Sequence, residues 1–203
     1  MRATWAGEPI IAMESAPAAL AVTLDDVKGA LRISFTDQDD ELEAALNAAI
    51  DHFDGYEGYV SRALINQEWS VAVCGANCHG RIFAPLTPCQ AITEIEYYDT
   101  DGILQTATLA DFRLTRAMDY AYVTPETGKV WPTTQARQDA IKITFRVGYG
   151  PDTASIPNNL KHAIRLTTGH YYEHREASTL LDLKKLPFGV DALVAKQKLW
   201  RAA

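Results

Sequence analysis

The stretch Ile156–Glu176, IPNNLKHAIRLTTGHYYEHRE, decides the fold because it predicts a long helix at the centre of the molecule. It opens with a proline followed by two asparagines, which is a typical helix-start signal. One face then carries apolar or small residues at helical spacing: Leu160, Ala163, Ile164, Thr167 and Tyr171. Gly169 lies mid-helix, where it costs ~1 kcal/mol relative to alanine, and this predicts the close approach of another backbone. Such a helix must bury its apolar face against further helices.

Three further helices are predicted. Thr23–Asp26 forms a capping box that opens a short helix ending near Arg32. The acidic run Asp37–Glu43 suits the positive end of a second helix, whose apolar spacing continues to about Leu64 and is weakened by two glycines. The sequence GVDALVAKQKLWRAA, from Gly189 onward, predicts a short final helix.

The apolar period changes between the second and third predicted helices. Apolar residues alternate in Trp69–Val73 and in Ile141–Val147, which is the signature of strands. Between them, Ile92–Tyr98 and Ile103–Leu109 flank the turn Asp99–Gly102, and this pattern predicts a hairpin.

These elements together predict an α+β fold that is mainly α. We expect a bundle of about four helices into which a small antiparallel β unit is inserted. The expected parts are a flexible N-terminal arm over residues 1–22, a helical bundle with a C-terminal tail over 23–66 and 149–203, and the β unit over 67–148.

Charge is unevenly distributed along the 203 residues. The net charge is −7 overall, made up of −9 over residues 1–60, −1 over 61–150 and +3 over 151–203. Such polarity suits head-to-tail contacts between copies, although solvated charges would produce the same pattern. The overall acidity argues against a protein that grips nucleic acid. Apolar runs are far shorter than the ~20 residues of a membrane span.

The spacing His170-x-x-Glu173-His174 matches the HxxEH pattern of inverted zinc peptidases. The two histidines share a helix face and could chelate zinc, with the glutamate activating a water. A third ligand would have to come from the short tail, where the candidates are Glu176, Asp182 and Asp191. Because the same helix face carries small packing residues, we favour packing histidines over a catalytic site.

A second cluster, Cys74-Gly-Ala-Asn-Cys78-His79, brings two thiols and an imidazole together, with Cys89 as a possible further zinc ligand. We favour a turn with incidental thiols that stay reduced. No glycine-rich phosphate loop and no GxSxG nucleophile motif occurs. We therefore expect no catalytic residues, no metal and no cofactor, and the protein is not predicted to be an enzyme.

The motifs, taken in order, resemble the head–tail connector (adaptor) proteins of tailed bacteriophages, prophages and gene transfer agents. The resemblance covers about residues 20–201 and departs from the family at Leu193–Arg201. The matching stretches are Leu24–Arg32 and Asp39–Leu64 for the first two helices, Gln67–Trp69 at the entry to the β region, Pro85–Pro88 with Ile92–Gly102, Gly148–Gly150, Ile156-Pro157, the signature Tyr172-Glu-His-Arg-Glu176, and Leu186–Gly189 before the last helix.

The resemblance implies a structural virion protein of the neck, assembled in the host cytoplasm. Family members form a twelve-fold homo-oligomeric ring beneath the portal protein, extend the DNA channel and present a platform for a tail-side stopper or neck protein. DNA passes through without sequence-specific binding, and no membrane is involved. In relatives the C-terminal segment reaches the portal, so the residues expected to dock there are Lys196, Lys198, Leu199, Trp200 and Arg201.

Two alternatives remain open on the sequence. One is a stopper or head-completion protein of the same neck. The other is a zinc-dependent hydrolase that uses His170, Glu173 and His174.

Overall fold

The computed structural model describes residues 8–174 and 188–199, which divide into two compact units. One unit contains Asn66–Gly148 and the described chain up to Pro17, and the other contains Ala18–Ile65 and the described chain from Tyr149. The helices and strands are β1 Ile10–Ser15, α1 Leu24–Leu31, α2 Asp39–Phe53, β2 Gln67–Val73, β3 Ile82–Phe83, β4 Cys89–Tyr98, β5 Leu104–Thr106, β6 Phe112–Arg116, β7 Ala121–Pro125, β8 Ile141–Val147, α3 Asn158–Glu173 and α4 Phe188–Val194.

The first unit is built on a five-stranded sheet with the order β1-β2-β8-β4-β5, in which every pair is antiparallel. The alternating residues predicted as strands lie opposite each other, since Val71 pairs with Ile143 and Trp69 pairs with Phe145. The side chains of Val71, Ile143 and Phe145 are fully buried. The predicted hairpin forms, but its return strand is only the three residues of β5.

A second sheet in the same unit has the order β3-β7-β6. β6 and β7 form a hairpin in which Leu114 lies opposite Val123, and the short β3 pairs Ile82 with Val123. Ile82 and Val123 are fully buried, so this small sheet also has an apolar interior. The β region therefore contains two sheets, whereas the sequence predicts a single small antiparallel unit.

The second unit packs its helices around one apolar core. The capping box at α1 forms as predicted, because the Asp26 amide donates to Thr23 Oγ1 at 3.2 Å and the Thr23 amide donates to Asp26 Oδ2 at 3.4 Å. α3 buries the predicted stripe, with Leu160, Ala163 and Ile164 fully shielded. All three contribute to the same core as residues of α1, α2 and α4.

The neighbour of Gly169 is a side chain, and the predicted backbone approach is not what the structure has there. A Cβ atom at this position would lie 2.9 Å from Cδ2 of Leu31. The glycine therefore makes room for α1 to pack against α3.

The second helix is shorter than the sequence predicts. α2 ends at Phe53, and Gly55 adopts a left-handed backbone with φ of 84°. The Asp54 side chain accepts a hydrogen bond from the Leu64 amide at 2.7 Å, which holds an irregular loop in place of the second half of the helix. Val60 and Leu64 are still buried, so the apolar spacing reflects loop packing and was wrongly interpreted as helix.

The predicted fold class, a mainly α bundle with a small β insert, is wrong. The described residues form four helices and eight strands in two antiparallel sheets, with nearly equal numbers of residues in each class. Two causes account for the error. α2 loses its second half to a loop, and four short strands, β1, β3, β6 and β7, are not among the predicted strands, although β6 alternates apolar and polar residues. Across the described residues, no helix is long and apolar enough to cross a membrane.

Candidate functional site

The C-terminal segment, residues 188–199, contains the described part of the predicted portal interface. Its helix α4 is anchored by Val190 and Val194, which are both fully buried in the core of the helical unit. Leu193 packs partly against the same core. The chain then makes one turn, in which the Gln197 and Lys198 amides donate to the Val194 carbonyl. The apolar spacing of the sequence thus gives α4 one buried face.

Polar contacts hold the turn that follows α4. The Asn159 side chain at the start of α3 donates to the Leu193 carbonyl and to Gln197 Oε1, each at 2.6 Å. The buried Arg62 donates through Nε to the Gln197 carbonyl at 2.5 Å, and the Leu199 amide donates to the Val60 carbonyl at 3.1 Å. The chain is therefore fixed to the helical unit up to Leu199.

A cluster around Tyr59 adds charge to this attachment. The ammonium of Lys198 lies 3.5 Å from the centre of the Tyr59 ring, a cation–π contact. The Tyr59 hydroxyl donates to the Asp191 carboxylate, and this hydrogen bond, with burial, raises the pKa of Tyr59. The imidazole ring of His52 stacks on the Tyr59 ring, with the two ring centroids 5.4 Å apart. Burial and, to a smaller extent, the Lys198 charge lower the pKa of His52.

The structure locates three of the five residues predicted for portal docking. Lys196 is exposed, whereas Lys198 and Leu199 are half-buried and contact the loop that follows α2. Trp200 and Arg201 lie outside the described residues. The interface itself stays a prediction. The described part of the segment has a defined position on the helical unit, and the chain continues from there to Trp200.

The HxxEH residues lie at the end of α3. The rings of His170 and His174 have centroids 4.5 Å apart, and His174 Nδ1 lies 3.1 Å from the His170 carbonyl oxygen. Glu173 is exposed. Of the proposed third ligands, Asp191 bonds to Tyr59, and Glu176 and Asp182 lie outside the described residues. No group of three or more His, Cys, Asp or Glu side chains within the described ranges is placed to hold a metal ion.

Cys74, Cys78, His79 and Cys89, all among the described residues, do not form a group that could hold a metal ion. Cys74 and Cys78 are exposed in the loop between β2 and β3, where the Cys78 thiol lies 3.2 Å from His79 Nδ1. Cys89 is buried in β4, and burial raises the pKa of its thiol to about 12. Because metals bind the thiolate, this pKa makes Cys89 a poor ligand.

Sequence reasoning missed the residues that hold the C-terminal segment. Tyr59 and Arg62 were interpreted as part of a long helix, and Asn159 only as a helix-start residue. A buried arginine beside an irregular loop has no periodic signature. Asn159 gave no separate signal either, because asparagine is common at helix starts.

A model of the family described as "Phage gp6-like head-tail connector protein" matches residues 21–127. No curated protein matches the chain in sequence.

Solved structures share the fold. A chain from the neck of an empty gene transfer agent particle, computed with C6 symmetry, is 22% identical with a TM-score of 0.77. A chain from the virion of a native gene transfer agent particle is 23% identical, also with a TM-score of 0.77. In both cases the match covers 96% of this chain and 97% of the other.

The family match extends over more than half of the sequence, and the resemblance that the motifs predicted is confirmed. The chain therefore belongs to the phage gp6-like head–tail connector family and is a structural protein of the head–tail connection of the virion.

Proposed function

We propose that copies of this chain form a closed ring between the portal protein and the tail. The observation that carries the proposal is the family match, and the fold shared along almost the whole chain with gene transfer agent neck proteins supports it. The fold is shared with chains from the neck of an empty gene transfer agent particle computed with C6 symmetry and from the neck of a native particle computed with C12 symmetry, and this favours a cyclic assembly of twelve subunits. In such a ring each contact joins two different surfaces of neighbouring copies.

The ring extends the DNA channel and carries a platform for a tail-side stopper or neck protein. The net charge of −7 suits this role, because a DNA duplex passing an acidic body is repelled and not retained. The domain division predicted from the sequence, with an arm over 1–22, helical parts over 23–66 and 149–203 and the β unit over 67–148, is part of this proposal, with residues 10–15 of the arm paired as β1 in the sheet.

The C-terminal segment makes the contact with the portal in this proposal. Its described part is anchored by Val190 and Val194, so the residues that follow start from a defined place on the helical unit. Trp200 and Arg201 combine an aromatic anchor with a guanidinium group, the residue types enriched in interface hot spots. Lys196, Lys198 and Leu199 complete the proposed docking set.

Electron microscopy of the purified chain mixed with its portal tests the function. We expect a ring of added density at the narrow end of the portal. Added density that contains a single central plug would favour a stopper, and no density at any protein concentration would contradict the connector role.

A pair of short truncations tests the docking residues. Deletion of residues 200–203 should abolish portal binding and leave the melting temperature unchanged, because the anchoring valines and the contacts up to Leu199 remain. The matched control deletes only Ala202 and Ala203 and should bind like the full chain. Full binding after the longer deletion would show that the portal contact lies elsewhere.

A further inference from the structure

A cleft of about 280 Å³ lies on the helical unit, between the start of α1 and the first half of α3. Lys161 and Arg165 line it together with Asp26 and Asn158. The two cations are four residues apart, so they project from the same face of α3. Both side chains are half-buried, which leaves part of each charged group open to the cleft.

Neither cation is neutralised by an acid among the described residues. Among the described residues, Arg165 makes one hydrogen bond, a donation from its Nε to the Lys161 carbonyl oxygen at 3.3 Å. Asp26, the nearest acid in the lining, accepts hydrogen bonds from the Thr23 amide and hydroxyl. The cleft therefore offers two positive charges to an acidic partner.

The complementary charges of the same unit lie at the start of α2. Asp37, Asp40 and Glu43 are exposed there, and no ion pair to another described residue involves them. Asp39, by contrast, is bound to Lys28 at 2.7 Å. The three exposed carboxylates form an acidic patch on the surface.

The basic cleft and the acidic patch lie at opposite ends of α3. The Tyr172 hydroxyl donates to Gln38 Oε1, so the start of α2 meets the last turn of α3. Lys161 lies eleven residues before Tyr172, which is ~16 Å along the helix axis. At this separation one copy cannot bring its own acids to its own cleft.

We propose that the cleft of Lys161 and Arg165 receives the acidic start of α2, formed by Asp37, Asp40 and Glu43, from a neighbouring copy. The inference rests on the proposed ring, for which it supplies the contact between subunits. Two complementary patches at different places produce a head-to-tail contact, and such contacts close into rings. A nucleic acid is the less favoured occupant, because the net charge of −7 opposes the approach of a long polyanion.

Charge reversal on each side tests the contact. One variant carries Lys161→Glu and Arg165→Glu, and the other carries Asp37→Lys and Asp40→Lys. Each variant alone should lose ring formation on the portal, with an affinity between subunits reduced at least ~10-fold. An equimolar mixture should restore the ring, because every contact in an alternating assembly then joins opposite charges.

Controls separate the outcomes. Arg113→Glu with Lys129→Glu makes the same change in charge in the other unit and should leave the ring intact. The neutral pair Lys161→Gln and Arg165→Gln should weaken the ring less than reversal does, and melting curves verify that each variant is folded.

Full rings from both reversed variants, or no rescue on mixing, would overturn the inference while the wild-type ring still supports the proposed function. If the wild type forms no ring on the portal, the proposed function fails as well. Native mass spectrometry that shows only dimers in the mixture would overturn the head-to-tail geometry.

Discussion

The first and last described segments of the chain are held in different ways. β1 is an edge strand that pairs through its backbone with β2, so that Ile10 lies opposite Ala72 and Met13 opposite Trp69. The side chains of Ile10 and Met13 remain 46% and 53% exposed. α4, in contrast, is held by the two fully buried side chains of Val190 and Val194. Backbone pairing between strands tolerates many different side chains, whereas a buried apolar contact depends on the size and shape of the side chains that form it.

One ion pair adds a side-chain contribution to the attachment of β1. Lys142 Nζ lies 2.8 Å from Glu14 Oε1, and this hydrogen bond lowers the pKa of Glu14. Both side chains are more than one third exposed, so the pair contributes little to stability. The difference between the two segments therefore lies in apolar burial.

The largest expected effect comes from shortening the valines of α4. Val190→Ala with Val194→Ala removes four buried methyl groups and should lower the free energy of unfolding by about 3–5 kcal/mol. Chemical denaturation measures the loss, and hydrogen exchange should locate it in residues 188–199 and in α3. The matched pair on β1, Ile10→Ala with Met13→Ala, should cost less than about 1 kcal/mol. Equal losses would show that burial does not distinguish the two segments.

A smaller loss of stability is expected when the side-chain amide of Asn159, which bridges α3 to the C-terminal segment, is removed. Asn159→Ala leaves the Leu193 carbonyl and Gln197 Oε1 without this donor, and should cost about 1–2 kcal/mol. Asn158→Ala is the matched control on an exposed neighbour and should change the stability by less than about 0.5 kcal/mol. Faster exchange of the amides of residues 194–199 in the first variant alone would confirm the bridge. Unchanged exchange in both variants would contradict it.

The smallest effect concerns pH. Burial lowers the pKa of His52, so the unfolded chain takes up a proton on this residue more readily than the folded chain does. The resulting stability is fully present above the unfolded pKa of ~6.5 and is lost as the pH falls from that value through the lowered folded pKa. His52→Gln should flatten the fall in unfolding free energy between about pH 7.5 and pH 5. An identical slope in both proteins would contradict this role.

The sequence predicted those elements whose determinants are local. The capping box at Thr23 fixes the start of α1, because its two hydrogen bonds involve residues three positions apart. The buried stripe of α3 and the alternation in β2 and β8 were also readable, since each reflects one buried face. The acidic residues over 37–43 indicated the first turn of α2, because negative charge is favourable at the start of a helix.

Elements held by distant contacts were not predictable in this way. β1 exposes most of its side chains, so no apolar alternation marks it, and its strand structure depends on the free edge of β2. The end of α2 depends on Asp54, whose carboxylate binds the Leu64 amide across the loop. The C-terminal attachment depends on Tyr59, Arg62 and Asn159, which meet residues 191–199 only after folding.

The sequence by itself determined the family, the succession of two helices, a β region and two further helices, and the uneven distribution of charge along the chain. The tertiary structure alone decided that the β region forms two sheets, that α2 stops at Phe53, and that Lys161 and Arg165 open into one cleft. The physical reason is range. Periodicity and capping act between neighbours on one helix or strand. Sheet edges, loop closures and clefts bring together residues that are farther apart, such as Ile10 and Ala72, Asp54 and Leu64, or Asp26 and Lys161.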